Sequence, residues 1–470
     1  MMTDWLVWCV FGYFILMNLG YLSLNLFSIA ALHKNNQEKL LQDLPQVYSG
    51  LEPGISILVP AYNEEANITA SIRSMLQLTY PDFEIIVIND GSRDRTLEVL
   101  QEAFSLLPFP QAERSNLPSQ PVKGVYCSMH FPNLRVIDKV NGGKADALNA
   151  GINAASHPLF CGVDADSMLS RDSLQRVVRP FLDHPDMVAT GGTIRIANGC
   201  EIYEGMVTRV RLPKNGWALF QVVEYMRAFL FGRLGWSQLN AMLIISGAFG
   251  LFKTETVVAV GGYRHDTIGE DMELVVRIHH QLRQQGIPYR IEFVPEPVCW
   301  TEAPEDYKTL RNQRVRWQRG LSESLSLHWG LMFSRRGGSP GWLAYPFMVL
   351  FEWLGPLVEV AGCIFLLIAW LMGDLSGQAF AAFLLLSVGL GILLSVSSLM
   401  LEEMAFNSYP KFRQLGLLLL MVLLENCGYR QLICWWRLVG LYRWAVNSQS
   451  TWGTMKRKGL GQKPPTKNSH

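Results

Sequence analysis

Apolar residues in this chain follow two patterns. Near both ends they form long unbroken stretches, and in between they form runs of four or five that alternate with helix-like segments. Residues 5–32 are apolar almost throughout, about 28 residues against the ~20 that span a bilayer as a helix. Residues 345–372 and 379–401 have the same character and are joined by a short polar turn, 373–378. A further run, 415–424, is too short alone. It either continues as one kinked helix through Leu441 or turns back, with 432–446 returning. Asp4 precedes the first stretch, whereas His33, Lys34 and Lys39 follow it, a bias that places residue 33 onward in the cytoplasm. The start Met1-Met2-Thr3-Asp4 lacks the basic opening of a signal peptide, so the segment is expected to remain as an anchor. Arg437, Arg443, Lys456, Arg457 and Lys458 favour a cytoplasmic C-terminus.

Between these ends, residues 55–59, 84–88, 134–137 and 159–163 are continuous apolar runs, interleaved with predicted helices over 64–77, 94–104 and 144–155. Uninterrupted apolar strands alternating with helices predict parallel strands buried on both faces. Ligands bind such sheets beyond the carboxyl ends of the strands, where Asn63, Glu64, Asp90, Asp164 and Asp166 fall. The Pro-, Ser- and Gln-rich stretch 107–123 reads as a surface loop. Residues 217–234 predict an apolar, aromatic helix, and 304–327 a strongly basic one.

The division expected is an anchor over 1–32, a cytoplasmic catalytic domain over 33–340, transmembrane helices over 341–446 and a basic tail over 447–470. With 41 basic against 40 acidic residues, nothing in the overall charge points to nucleic acid. Eight cysteines stand singly, without a Cys-x-x-Cys pair, which argues against zinc and a disulfide framework.

Candidate chemistry gathers at a few motifs. Asp164-Ala165-Asp166 follows an apolar strand and would present two carboxylates on one side of an extended backbone. A divalent cation, Mg²⁺ or Mn²⁺, would relieve their repulsion while gripping phosphate oxygens. Asp90-Gly91-Ser92 ends another strand, where Asp90 either accepts a hydrogen bond from a nucleoside or caps the next helix. Asn141-Gly142-Gly143-Lys144 opens a helix whose free N–H groups suit an anion. Glu270-Asp271 offers a general base, or first-turn acids favoured by the helix dipole, and both fit the spacing. His279 and His280 read as structural. Gln313, Arg316 and Trp317 share one helix face, presenting an amide, a permanent cation and a flat ring together. Glu352 and Glu359 lie on one face of a membrane helix, either lining a polar passage or pairing with a cation such as Arg430. Trp353, Trp435 and Trp436 could stack on sugars or form an interfacial belt.

Together, Pro60-Ala61-Tyr62-Asn63-Glu64-Glu65, the aspartates, Glu270-Asp271 and Gln-x-x-Arg-Trp resemble the processive inverting family 2 glycosyltransferases: cellulose, hyaluronan, chitin and poly-N-acetylglucosamine synthases. The resemblance implies an α/β GT-A (Rossmann-like) cytoplasmic domain flanked by transmembrane helices, in a bacterial inner membrane. It also implies a UDP-sugar donor, UDP-GlcNAc or UDP-glucose, whose sugar is polymerised into a β-linked polysaccharide and passed into or across the membrane. By the same resemblance Asp166 would hold the metal with Asp164 beside it, and Asp90 would contact uracil. Tyr62, Glu64, Lys144 and Arg316 would complete the donor site. Asp271, next to Glu270, would be the base, and Gln313 and Trp317 would hold the acceptor. Membrane lipid, the growing glycan and accessory export or regulatory subunits are the expected partners, with no nucleic acid. Gly269 departs from the Thr that often precedes Glu-Asp in the family. Two other readings share parts of this set: a non-processive enzyme acting on a lipid-linked acceptor, and an idle glycosyltransferase-like membrane scaffold.

Overall fold

The structure, a computed structural model, describes residues 2–42, 50–109, 116–203, 205–406, 408–409 and 411–446. The tail expected over 447–470, with Lys456, Arg457 and Lys458, lies outside them. Helix α1 (Met2–Gln42) is followed by β1 (Ile55–Ala61), α2 (Ile68–Met75), β2 (Phe83–Asn89), α3 (Thr96–Phe104) and β3 (Leu106–Pro108). Next come β4 (Val122–Ser128), β5 (Leu134–Lys139), α4 (Lys144–Ala154), β6 (Leu159–Val163), β7 (Met168–Leu169), α5 (Ser173–Asp183) and β8 (Met187–Ile196). A hairpin of β9 (Glu201–Tyr203) and β10 (Met206–Arg209) precedes α6 (Gly216–Met226) and α7 (Leu234–Gln238). Ahead of the C-terminal apolar helices come β11 (Phe249–Lys253), α8 (Thr254–Ala259), α9 (Glu270–Gln285), β12 (Arg290–Thr301) and α10 (Tyr307–Leu327).

Among the described residues, ten strands form one sheet in the order β3-β4-β5-β2-β1-β6-β11-β8-β12-β7. The four strands expected from apolar runs are its centre, and the β5-β2, β2-β1 and β1-β6 pairings are all parallel. Ile57, Leu58, Val59, Ile85, Ile86, Val87, Leu134 and Phe160 are fully buried, as continuous apolar strands require when helices cover both faces. The sheet is nonetheless mixed, because β3, β4 and β11 run antiparallel to their neighbours. The loop expected over 107–123 is therefore shorter: its ends belong to β3 and β4, and residues 110–115 lie outside the described set.

Several helix bounds differ from expectation for local reasons. The helix expected from Glu64 starts at Ile68, since residues 63–65 are tied to the 92–96 loop instead of entering a helix. Helix α10 starts at Tyr307, where the Asp306 side chain accepts from the Thr309 N–H at 2.9 Å. The helix expected over 217–234 runs as α6 and then loosens into a wider π turn over Arg227–Arg233.

Among the described residues, three helices are long and apolar enough to cross a membrane: Trp5–His33, Gly377–Phe406 and Phe412–Ala445. The last resolves the choice left open by its sequence, continuing to Ala445 with a break at Cys427 and Gly428. The stretch expected as one span over 345–372 is instead two helices, Pro340–Trp353 and Gly355–Leu371, bent by 49°. Pro356 at the start of the second has no N–H to offer the preceding turn, which accounts for the bend.

Candidate active site

Loops at the carboxyl ends of β1, β2, β5 and β6 converge. After β1, Asn63 adopts a left-handed conformation (φ 56°) and exchanges hydrogen bonds with the loop after β2. Asn63 N donates to Ser92 Oγ (3.0 Å), Arg93 N to Asn63 Oδ1 (2.8 Å) and Glu64 N to Thr96 Oγ1 (2.9 Å). This zipper fixes the backbone around Tyr62 and Glu64, both half-buried.

Asp90 lies below this rim, only 3% exposed. Its Oδ1 accepts from Lys139 Nζ (2.6 Å) and Gly142 N (2.9 Å), and its Oδ2 from Gly143 N (2.7 Å) and Asn141 Nδ2 (3.1 Å). Those donors take up the four or so lone-pair directions of a carboxylate. The N–H groups of Gly142 and Gly143, expected to face an anion, therefore point at Asp90. What the turn offers the cleft is Lys144, the first residue of α4. Its Nζ is 2.6 Å from Asp164 Oδ1, 3.7 Å from Glu270 Oε1 and 3.1 Å from the Gly247 carbonyl. Burial works against the Lys144 charge, but the Asp164 and Glu270 carboxylates outweigh it and hold the ammonium above its usual range.

Asp164 and Asp166 do not sit on an extended strand. The backbone turns directly after β6, with Ser167 N donating to Asp164 O at 2.9 Å. The turn sends Asp164 to Lys144 and leaves Asp166 buried. Across the cleft, α9 begins with Glu270 and Asp271. Asp271 Oδ2 accepts from Gly247 N (2.9 Å), placing Asp271 on the same loop that contacts Lys144. Glu270 is buried, and burial raises its pKa from 4.5 to about 7 although Lys144 opposes the shift.

Gly269 supplies the link to α10. A Cβ there would lie 3.0 Å from backbone atoms of Gly320, and one on Gly320 would lie 2.9 Å from the Gly269 Cα. Two facing glycines thus let the start of α9 rest on the α10 backbone, and Ile268 N donating to Glu323 Oε2 (2.8 Å) pins the contact. The departure from Thr at 269 is therefore a packing solution, and nothing in local spacing pairs it with a glycine 51 residues away.

On α10, Gln313 is buried, Arg316 half-buried and Trp317 43% exposed. Arg314, absent from the expected set, lies under Trp317, its guanidinium 4.3 Å from the ring centroid, and pairs with Glu224 of α6 at 2.8 Å. It fixes the ring's orientation by a cation–π contact and a buried ion pair. His279 is structural in form: its ring nitrogens meet Tyr289 Oη (2.7 Å) and the Met242 carbonyl (2.9 Å), and burial lowers its pKa to about 4. His280 faces His328, their Nδ1 atoms 3.4 Å apart.

In the membrane-grade region, Glu352 pairs with Arg437 (2.8 Å), not Arg430, and also accepts from Tyr21. Arg437 Nε donates to Gln318 Oε1 of α10 at 2.8 Å, so this acid joins helices together. Trp353 is largely buried and Trp436 wholly so, the latter against Tyr307, leaving Trp435 as the exposed member of that set.

This mixed α/β sheet with carboxylates at its strand ends and apolar helices at both termini defines a GT-A glycosyltransferase. The profile "Glycosyl transferase family 2" matches residues 56–215, and "Glycosyl transferase family group 2" matches 160–399, half of the chain. The chain belongs to family 2 of the glycosyltransferases. It is 33% identical over 274 residues to a poly-β-1,6-N-acetyl-D-glucosamine synthase of Staphylococcus epidermidis. The Staphylococcus aureus protein of the same name is 34% identical over the same length. In both cases the match covers 58% of this chain and 55% of the relative, so the chain spans about half the length of the curated relatives it matches. A mannosyltransferase from Pyrobaculum calidifontis, solved with GDP-Man and Mn²⁺, superposes with a TM-score of 0.55. That superposition covers 92% of this chain and all of the other at 16% identity, a likeness of fold alone.

Among the described residues no three His, Cys, Asp or Glu side chains gather into a ready metal cluster. Asp164 and Asp166 supply hard carboxylate oxygens from one turn, a donor set that suits Mg²⁺ or Mn²⁺ only when a phosphate ligand completes the shell.

Proposed function

We propose that this chain is an inverting hexosyltransferase that polymerises a β-linked polysaccharide from a UDP-sugar at the cytoplasmic face of a bacterial membrane. The observation that carries the reading is Lys144. One ammonium touches Asp164 on the donor side and Glu270 on the acceptor side, beside Asp271. Donor diphosphate and attacking hydroxyl would then meet within one side chain's reach.

In this reading Tyr62, Glu64, Lys144, Asp164 and Arg316 face the nucleotide-sugar. Lys144 and Arg316 offset the charge that grows on the leaving diphosphate. Asp164 and Asp166 would hold Mg²⁺ or Mn²⁺, which when bound would neutralise the same oxygens. Asp271 takes the proton of the acceptor hydroxyl as that oxygen attacks the anomeric carbon from the face opposite the leaving group. Gln313 and Trp317 hold the acceptor, with Trp317 braced by Arg314. The Gly269–Gly320 contact keeps acceptor helix and base in register.

Incubating the purified protein in detergent with Mg²⁺ or Mn²⁺ and a panel of UDP-sugars, while following UDP release and product size, tests this. A long product from one donor supports polymerisation. Release of UDP with single-sugar addition to a lipid carrier would instead establish the second reading, non-processive transfer. That reading draws on Glu352, which is spent on Arg437 and Tyr21 and gives no argument for a polar membrane passage.

A further inference from the structure

We infer that Lys139 and Asp146 are positioning residues for the nucleotide-sugar donor, acting through Asp90 on the turn that carries Lys144; this rests on the donor-site reading above. Lys139 is 0% exposed, and its three ammonium protons have three acceptors. These are Asp90 Oδ1 (2.6 Å), Asp146 Oδ1 (2.5 Å) and the Val140 carbonyl (2.7 Å). Asp146 also accepts from the Gln120 N–H at 3.0 Å. Asp90 in turn holds both glycine N–H groups and the Asn141 side chain.

The turn between β5 and α4 is therefore clamped from both sides. A Cβ on Gly142 would lie 2.4 Å from the Asp146 carboxyl carbon, and one on Gly91 2.8 Å from Asn141 N. Lys144 follows this turn directly, so a shift of the turn moves its ammonium away from Asp164. Stability alone explains the triad poorly, because buried ion pairs are often no more stabilising than well-packed apolar residues of similar size. A fixed geometry is what two aspartates around one lysine supply that an apolar trio would not. Asp90, which accepts from four protein donors, is the link through which Lys139 and Asp146 shape the turn.

The test compares wild type with Lys139→Met and Asp146→Asn, measuring UDP dissociation constant, donor KM, kcat and melting temperature. Loss of a charged hydrogen bond in the clamp is expected to raise donor KM and the UDP dissociation constant roughly ten- to a hundredfold. Because Lys144 also offsets charge on the leaving diphosphate, kcat should fall as well, whereas acceptor KM should stay close to wild type. A lower melting temperature with unchanged donor KM and UDP affinity would overturn the inference and leave the triad a matter of stability. Asp146→Asn keeps the side-chain shape and decides the matter if Lys139→Met does not fold. Wild-type protein that fails to bind UDP at all would refute the donor-site reading itself, a result separable from the variants.

Discussion

Replacing Glu270 with glutamine should stabilise this protein in alkali and not in acid. The native carboxyl is buried and keeps its proton up to about pH 7, against 4.5 for the unconstrained group. Between those values the folded chain binds more protons than the unfolded one, so stability falls as pH rises through the window and levels off above it. The difference is on the order of 3 kcal/mol at pH 8, and Glu270→Gln removes that slope. Thermal melts of both proteins in the same detergent at pH 5, 6, 7 and 8 read the effect as a difference of differences, in which other titrating groups cancel. The variant should gain on wild type from pH 5 to pH 7 and hold that gain at pH 8. A gap that stays constant with pH, or that widens towards acid, would refute the argument that burial dominates over Lys144. The same titration bears on catalysis: if Glu270 rather than Asp271 accepts the proton, the acidic limb of kcat/KM should lie near pH 7 in wild type and the variant should lose activity at every pH.

Three further outcomes follow from the geometry. Asp271→Asn should lower kcat by roughly 10²–10⁴ while leaving the UDP dissociation constant near wild type, and equal loss of both would remove Asp271 from the role of base. Gly269→Ala should press its methyl against Gly320, costing about 1–3 kcal/mol and raising acceptor KM; a variant with unchanged melting and kinetics would show that the helices separate freely. Arg437→Met should lower the melting temperature more than the double variant Arg437→Met/Glu352→Gln, because the single change leaves an acid without its partner.

The sequence by itself determined the frame. Runs of β-branched and aliphatic residues at 55, 84, 134 and 159 specify buried parallel strands because any other placement would expose them to water. Strand ends in turn place Tyr62, Asp90 and the Asp164 turn at one edge. Gln313 and Trp317 were legible as a shared face because helical periodicity is local. Tertiary structure alone decided the partners. Lys139 reads in sequence as an ordinary charged residue, and its burial arises only because β2 and β5 pair in the register that sets Asn89 beside Asp138. The Asp164-Ala165-Asp166 pair was expected on an extended backbone, but the turn at Ser167 redirects it. Glu352 found Arg437 rather than Arg430, which lies seven residues earlier on the same helix, a choice of height along the helix that spacing alone does not make. Facing glycines 51 residues apart leave no trace in either segment. Local pattern reports which side of an element is apolar, whereas contacts between distant elements depend on how those sides are brought together, and the chemistry of this cleft lies in such contacts.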